Sequence, residues 1–405
     1  MYHDLKNQEI ILISVRGKDL PGITSRLTAT IAKDKKAKIL DIEQTVVHKK
    51  LILSILLAFP EKNSDKSPLL KELLFAANAL GVELGFEVFD PKLLGEESSH
   101  HQYVITCLGE EVGAYPLSQI AQALAKRGVN IDKISKLGLK NISAVELIAH
   151  ARKPVDPKVL TRELLSLSHK VGVDIAIQKH DLLRRAKRLV LMDMDSTLIQ
   201  SEVIDELAKQ AGVAKKVAAI THQAMNGKFP FTQSLKKRVA LLKGLTLSDL
   251  EKTYKTLKLT NGAAKLLKVL KHLGYKTGLV SGGFTYFTEQ LKRDLGFDYA
   301  FANVLEIRNG RLTGKLIGPI IDAKRKALIL ETIAQGEKIS LDQTIAIGDG
   351  ANDLLMLTKA GLGIAFQAKP YVRERAHYSI SKHSALDSIL YLLGISEREI
   401  ESLAR

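Results

Sequence analysis

A single structural phrase, written twice in the first 180 residues, is the strongest constraint on what this chain can fold into. Glu9 to Val15 is a β-branched apolar run, and Gly22 to Lys33 then sets Ile23, Leu27 and Ile31 at helical spacing. Two strand-like stretches follow, Ile39 to Val47 and Leu51 to Ala58, then a helix from Pro68 to Leu80 and a strand from Val82 to Phe89. Pro68 stands where a first-turn proline is tolerated, and Gly81 where a helix ends. The same order recurs with Tyr103 to Cys107, Pro116 to Lys126, Ile131 to Lys136, Ala144 to Ala149, Pro157 to Lys170 and Val173 to Gln178. Two α+β units of βαββαβ order are predicted, over residues 1–95 and 96–182.

After Arg188 the pattern changes. Leu189-Val190-Leu191-Met192 is a buried-strand run, and residues 202–260 are helical throughout. Strand–helix alternation then resumes with Thr277 to Val280, Thr344 to Ile347 and Gly363 to Phe366. Such alternation predicts a parallel sheet covered by helices. Ala300 to Ile307 and Leu312 to Leu316 flank Asn309-Gly310, a hairpin signal. Residues 183–405 therefore read as an α/β domain of Rossmann-like type, with a helical cap at about 200–262 inserted after its first strand.

Composition removes several function classes. The one cysteine, Cys107, excludes an intrachain disulfide framework and a Cys-based zinc site. The longest apolar run, Leu51 to Phe59, is too short to span a bilayer. The start, Met1-Tyr2-His3-Asp4-Leu5-Lys6, has no basic segment leading into an apolar one, so a reducing cytoplasm is expected and no membrane partner. The formal net charge is +16, nearly all of it after residue 182. Lys and Arg are nevertheless scattered, aromatics are only 5% and no basic stripe is interleaved with them, so a nucleic-acid partner is not expected.

Four segments carry chemistry, each at the C-terminal end of an apolar strand or the start of a helix, where open α/β sheets bind ligands. Asp193-Met194-Asp195-Ser196-Thr197 puts two carboxylates on a loop leaving the first strand; Asp195 or Ser196 could alternatively just cap the next helix. Ser281-Gly282-Gly283 offers a hydroxyl and bare backbone suited to phosphate oxygens. Lys326 opens a helix. Gly348-Asp349-Gly350-Ala351-Asn352-Asp353 sets two carboxylates and an amide on a glycine-rich loop, a setting that suits Mg²⁺.

In this order the four segments resemble the haloacid dehalogenase superfamily of aspartate-nucleophile phosphatases, over residues 189 to about 370. Glu202 and the cap segment Phe231-Thr232-Gln233-Ser234-Leu235-Lys236-Lys237-Arg238-Val239 resemble its phosphoserine phosphatase family more closely. The resemblance implies Asp193 as nucleophile and Asp195 as general acid and base. It implies Mg²⁺ held by Asp193, the Asp195 carbonyl and Asp349. Ser281, Gly282 and Lys326 would bind the transferring oxygens, with Asn352 at the phosphoryl group and Asp353 orienting the metal shell or Lys326. Glu202 would take the ammonium of O-phosphoserine and Arg238 its carboxylate, while Met225 and Phe231 line the closure. The repeated units resemble the ACT domain, a regulatory module that binds amino acids and pairs with further copies. That implies a serine or other amino-acid effector at Asp19, Pro21 and Gly22, and a homodimer. The second copy lacks the Asp-x-Pro-Gly signature in its loop. Two rivals remain: a related phosphatase or phosphotransferase acting on a substrate such as phosphohomoserine, and an ACT-based amino-acid sensor.

Overall fold

The computed structural model describes residues 8–60, 66–90, 101–138, 143–151, 153, 155–225, 228–381 and 384–405. The chain divides into two compact units, Met1–His100 and His101–Arg405.

In the first unit the strands β1 (Glu9–Lys18), β2 (Lys38–Val47), β3 (Lys50–Phe59) and β4 (Val82–Phe89) form one antiparallel sheet in the order β2-β3-β1-β4. Alternation decides its inner face: Ile11, Ile13 and Val15 of β1 and Leu53, Ile55 and Leu57 of β3 point one way. They are covered by Ile23 and Leu27 of the helix Ile23–Ile31 and by Leu69 and Leu73 of the helix Ser67–Leu80. The turn joining β2 to β3 is His48-Lys49, and both residues have positive φ (48° and 64°). That twist matches the flanking strands, although neither residue announces it in the sequence. The loop from Asp19 to Gly22 is exposed, and the Asp19 N–H donates to the Lys49 carbonyl (3.0 Å). Gly22 takes a left-handed φ of 97°, and no side chain caps the helix behind it.

The second unit opens with the repeat of that phrase: β5 (His101–Leu108), β6 (Val129–Lys136), β7 (Ala144–Ala151) and β8 (Asp174–Lys179), in the order β6-β7-β5-β8. The helices Ala114–Lys126 and Pro157–Val171 connect them. A seven-stranded sheet follows: β9 (Leu189–Met192), β10 (Lys276–Phe284), β11 (Tyr299–Arg308), β12 (Arg311–Ile317), β13 (Thr344–Gly348), β14 (Leu362–Phe366) and β15 (Tyr378–Ile380). Its order is β12-β11-β10-β9-β13-β14-β15, with β12 alone antiparallel to its neighbour. β9 lies in the middle, and the chain continues to β10 on one side and β13 on the other, so the strand order reverses at the C-terminal end of β9. A doubly wound sheet opens its binding crevice at such a point. Besides the helix Ala263–His272, four helices stand between β9 and β10: Val203–Gln210, Ala214–Met225, Phe231–Ala240 and Leu247–Thr256. Leu247–Thr256 begins with a capping box between Thr246 and Asp249.

The second βαββαβ unit keeps a core of its own, with Ile105, Leu124, Leu147 and Leu164 among its members, and the other face of its sheet packs on the α/β domain. Leu108, Leu137, Ala144 and Ala176 pack in the same apolar cluster as Tyr378, Leu390 and Leu393. β15, which has no periodicity to betray it, sits beside β8: the Tyr378 hydroxyl donates to the Ile177 carbonyl, and the Ser381 N–H to the Asp174 carboxylate (2.8 Å). The Gln178 amide donates to the Leu392 carbonyl (2.9 Å), and the Glu397 N–H to the Leu137 carbonyl (2.8 Å). An ion pair between Arg184 and Glu146, both buried, closes the junction. Among the described residues no helix is long and apolar enough to cross a membrane.

Breaking a buried pair by removing one partner costs about 3–5 kcal/mol, because the other charge is left in the interior. Glu146→Ala is therefore expected to lower the stability of the full chain by that amount in urea unfolding followed by circular dichroism. A loss below about 1 kcal/mol, the worth of a surface pair, would show that the Arg184 charge is reached by water.

Candidate active site

Asp193 ends β9, and its own N–H donates to the Ile347 carbonyl of β13 (2.9 Å), which fixes the start of the loop against the neighbouring strand. Residues Met194–Leu198 make a wide helical turn in which Asp195 (ψ 133°) and Ser196 (φ 55°) leave helical geometry. The turn aims both carboxylates into the crevice. Asp193 is 4% exposed; its Oδ1 accepts the Met194 N–H (2.8 Å) and pairs with Lys326 Nζ (2.8 Å). Burial pushes this carboxyl well above the usual range, and the Asp353 charge adds to the effect against the pull of Lys326.

Asp195 does both things that the sequence leaves open. Its Oδ1 accepts the Val203 N–H (2.8 Å) at the start of a cap helix, and its Oδ2 accepts from the Ser281 hydroxyl (3.1 Å). Burial, helped by the Glu202 charge, raises its pKa to about 7, so a large fraction carries a proton near neutrality. The Ser281 hydroxyl in turn accepts the Gly283 N–H (2.7 Å). A Cβ on Gly283 would lie 2.7 Å from Asp195 Oδ2 and 2.8 Å from Met194 Cε, so only glycine lets the loop approach this closely.

Lys326 is fully buried one turn into the helix Ala323–Gly336, whose start is capped by Asp322. It bridges Asp193 and Asp353 Oδ1 (2.7 Å). Burial works against its charge, but those two carboxylates more than offset it and raise the lysine's pKa. Asp353 also accepts the Gly350 N–H through Oδ2 (3.0 Å), so both of its oxygens are engaged in holding other groups. Asp349 accepts from the Thr197 hydroxyl (3.3 Å); burial first, then the charges of Asp353 and Glu202, raise it to about 7.

A cavity of about 1090 Å³ joins these groups to the cap. Asp193, Asp195, Gly282, Asp349 and Asn352 line its floor, and Glu202, Phe231 and Arg238 its roof. Ser281, Lys326 and Asp353 stand behind that wall, Ser281 bonded to Asp195 and Lys326 to both Asp193 and Asp353. Glu202 accepts from the Ser196 hydroxyl (2.9 Å), which ties the cap to the loop of the two aspartates. The side chain of Met225 lies outside the described ones. Sequence reasoning missed Asn303: it is buried, its amide donates to the carbonyls of Gly282 (2.8 Å) and Gly283 (3.2 Å), and it accepts the Ile321 N–H (2.8 Å). No local pattern marks it, since all its partners come from other segments.

The carboxylates of Asp193, Asp349 and Asp353 lie within 4.8 Å of one another. One lysine cannot neutralise three carboxylates, two of them buried and one half-buried, and burial first, then the neighbouring negative charges, raise the pKa values of Asp193 and Asp349. An all-oxygen set of that charge fits a hard divalent cation.

Comparison with known proteins agrees with this chemistry. Residues 190–358 match the family model of haloacid dehalogenase-like hydrolases, and residues 9–87 and 98–178 match two ACT domain models. The chain is 42% identical over 392 residues to a phosphoserine phosphatase of Streptomyces coelicolor, covering 97% of this chain and 94% of that protein. It is 39% identical to phosphoserine phosphatase SerB2 of Mycobacterium tuberculosis, covering 97% and 95% respectively. The chain belongs to the phosphoserine phosphatase family. Among solved structures, a probable phosphoserine phosphatase from Vibrio cholerae superposes with a TM-score of 0.58 at 32% identity, covering 76% of this chain and 90% of that one. A haloacid dehalogenase family hydrolase from Salmonella enterica gives a TM-score of 0.62 at 32% identity, covering 72% and 98%. Membership of the phosphatase family makes the chain a phosphoric monoester hydrolase.

The raised carboxyls set a pH dependence for this family member. A carboxyl whose pKa is higher folded than unfolded penalises the folded state once it ionises, so the penalty is absent below about pH 4 and grows as pH rises towards 7. A divalent cation relieves the penalty at Asp193 and Asp349, and protons compete with it. The rise in Tm on adding Mg²⁺ to the metal-stripped chain should therefore be large at pH 8 and small at pH 5.5. A rise of equal size at both would refute the cluster as the site of the cation.

Proposed function

We propose that the chain hydrolyses O-phosphoserine to serine and phosphate, the last step of serine formation, with Mg²⁺ at the cluster of Asp193 and Asp349 and the Asp195 carbonyl. The reading is carried by one observation: two buried aspartates with different partners share a cavity with the opposite charges of Glu202 and Arg238. Asp193, whose ionised form Lys326 favours against the upward push of burial, attacks phosphorus. The bond from phosphorus to the serine oxygen breaks as Asp195, protonated near neutrality, gives its proton to that oxygen. Asp195 then takes a proton from water, the water oxygen attacks the aspartyl-phosphate, and the bond to Asp193 breaks to free phosphate. When bound, the cation offsets the repulsion between the nucleophile and the phosphate dianion.

Gly282 N–H, the Ser281 hydroxyl and Lys326, which has a third N–H beyond its two carboxylate bonds, are suited to the phosphoryl oxygens. Asn352 stands at the same end of the cavity, and Asp353, with both oxygens occupied, orients Lys326. Glu202 suits the substrate ammonium and Arg238 its carboxylate, with Phe231 closing over them. A phosphate-release assay on O-phosphoserine, phosphohomoserine and sugar phosphates tests the substrate; a preference for sugar phosphates would sink it. Asp193→Asn should cut turnover at least about 10³-fold while circular dichroism stays unchanged. Retained turnover would remove Asp193 as nucleophile.

The chain reads as regulatory domains over residues 1–95 and 96–182 and a phosphatase domain over 183–405, acting as a cytoplasmic homodimer. An amino-acid effector, serine foremost, fits the loop of Asp19 and Gly22, where uncapped helix N–H groups can meet a carboxylate. Titrating serine into the full chain carrying Asp193→Asn, with and without Asp19→Ala, should show a heat that the second substitution removes. Equal heats would place serine elsewhere.

A further inference from the structure

Four buried side-chain polar atoms have no hydrogen-bond partner among the described residues: Thr106 Oγ1, Arg184 Nε, Ser234 Oγ and Arg238 Nε. Leaving such a group unpaired in the interior costs free energy, so each calls for a reason. Thr106 and Arg184 lie in and beside the second βαββαβ unit. Ser234 and Arg238 are different, because they share one helix, Phe231–Ala240, and both line the catalytic cavity.

Their spacing is i and i+4, so the two side chains stand on one face, one turn apart. A helical side chain also leans towards the N-terminus, which carries Arg238 over the turn that holds Ser234. Ser234 is only 1% exposed, so water does not pair its hydroxyl. The guanidinium is otherwise held by a long bond to the Thr221 hydroxyl (3.5 Å). Burial draws the Arg238 pKa down, while the charges of Glu202, Asp205 and Asp195 hold it up. The roof of the cavity is thus divided into an acidic side, suited to a cation, and a pair of unspent donors.

We infer that Ser234 is a specificity-determining residue, its hydroxyl donating to the substrate carboxylate that the proposed function gives to Arg238. Arg238 Nε can only donate, so the group that satisfies it must accept. A carboxylate has two oxygens and no proton, and takes an N–H from the arginine and the O–H of the serine at once. An ammonium satisfies the serine but repels the arginine. The phosphoryl group is committed to the floor at Asp193. Phosphomonoesters that lack a carboxylate leave both donors unpaired, and a site with unpaired buried donors rejects such analogues strongly.

This inference rests on the proposed reading of the cavity as a site for O-phosphoserine. The test compares kcat/KM for O-phosphoserine and O-phosphoethanolamine, which differ only in the carboxylate, in the full chain and in its Ser234→Ala variant. The native chain should prefer phosphoserine. Ser234→Ala should reduce that preference about tenfold or more, the worth of one hydrogen bond to a charged group, chiefly through KM for phosphoserine. An equal loss on both substrates would make Ser234 a packing residue and overturn the inference, as would an unchanged preference. A native chain that does not distinguish the two substrates overturns the underlying reading as well.

Discussion

The active site depends on one buried cation. Lys326 is wholly out of water, and it is tolerable there only because Asp193 and Asp353 meet its ammonium on either side. Burying an ion costs several kcal/mol, and the cost is recovered only by close partners with good geometry. The bridge reaches across the sheet: Asp193 comes from β9, Asp353 from the loop after β13, and Lys326 from the helix that packs between them. Moving any of the three would strand a charge. The lysine therefore fixes the carboxylate proposed to attack and gives the loop of Asp349 a defined position beside it.

The same count of charges explains why Asp193 and Asp195 differ although both are buried. Asp193 is pushed upward by burial too, but a cation at 2.8 Å favours its ionised form, the form a nucleophile needs. Asp195 has a backbone N–H and a hydroxyl instead, faces the Glu202 charge, and titrates near 7. Two carboxylates on adjacent turns of chain are pushed into separate roles by their partners, the arrangement that acid–base chemistry at neutral pH requires. The bond that Asp195 accepts from Val203 also makes it the cap of the first helix of the insertion. Any motion of that helix is thereby felt at the carboxyl proposed as general acid.

Much of this was legible in the sequence, because a parallel sheet fixes where its functional groups emerge. Asp193, Ser281 and Asp349 were readable since each follows an apolar strand of the right length. Lys326, alone an ordinary lysine, gained meaning only from the motifs around it. What escaped the reading lacks a local signature. Asn303 acts through three bonds to distant segments. β15 has three residues and is a strand only because β14 pairs with it. Ser234 falls inside a motif that was read for its arginine, and its unpaired state is visible only in three dimensions. The turn at His48-Lys49 is imposed by the strands it joins, not by its residues.

The merger of the second βαββαβ unit with the catalytic domain alters what regulation in this chain requires. Two modules joined by a free linker could exchange information only by docking and undocking. Here β8 adjoins β15, β15 pairs with β14, and β14 pairs with β13, whose end carries Asp349. A ligand that shifted β8 would push on β15, the edge strand of the separate catalytic sheet, but a packed interface resists small displacements and transmits only what it cannot absorb. Coupling through it requires an element with two arrangements, and a sheet held in register on both sides is a poor one. The helices inserted between β9 and β10 are tied to the domain as well, through Glu202 to Ser196, Val203 to Asp195 and the backbone bonds that join Gly244 and Leu245 to Leu312 of β12. The second βαββαβ unit is thus better built to brace the catalytic sheet than to switch it.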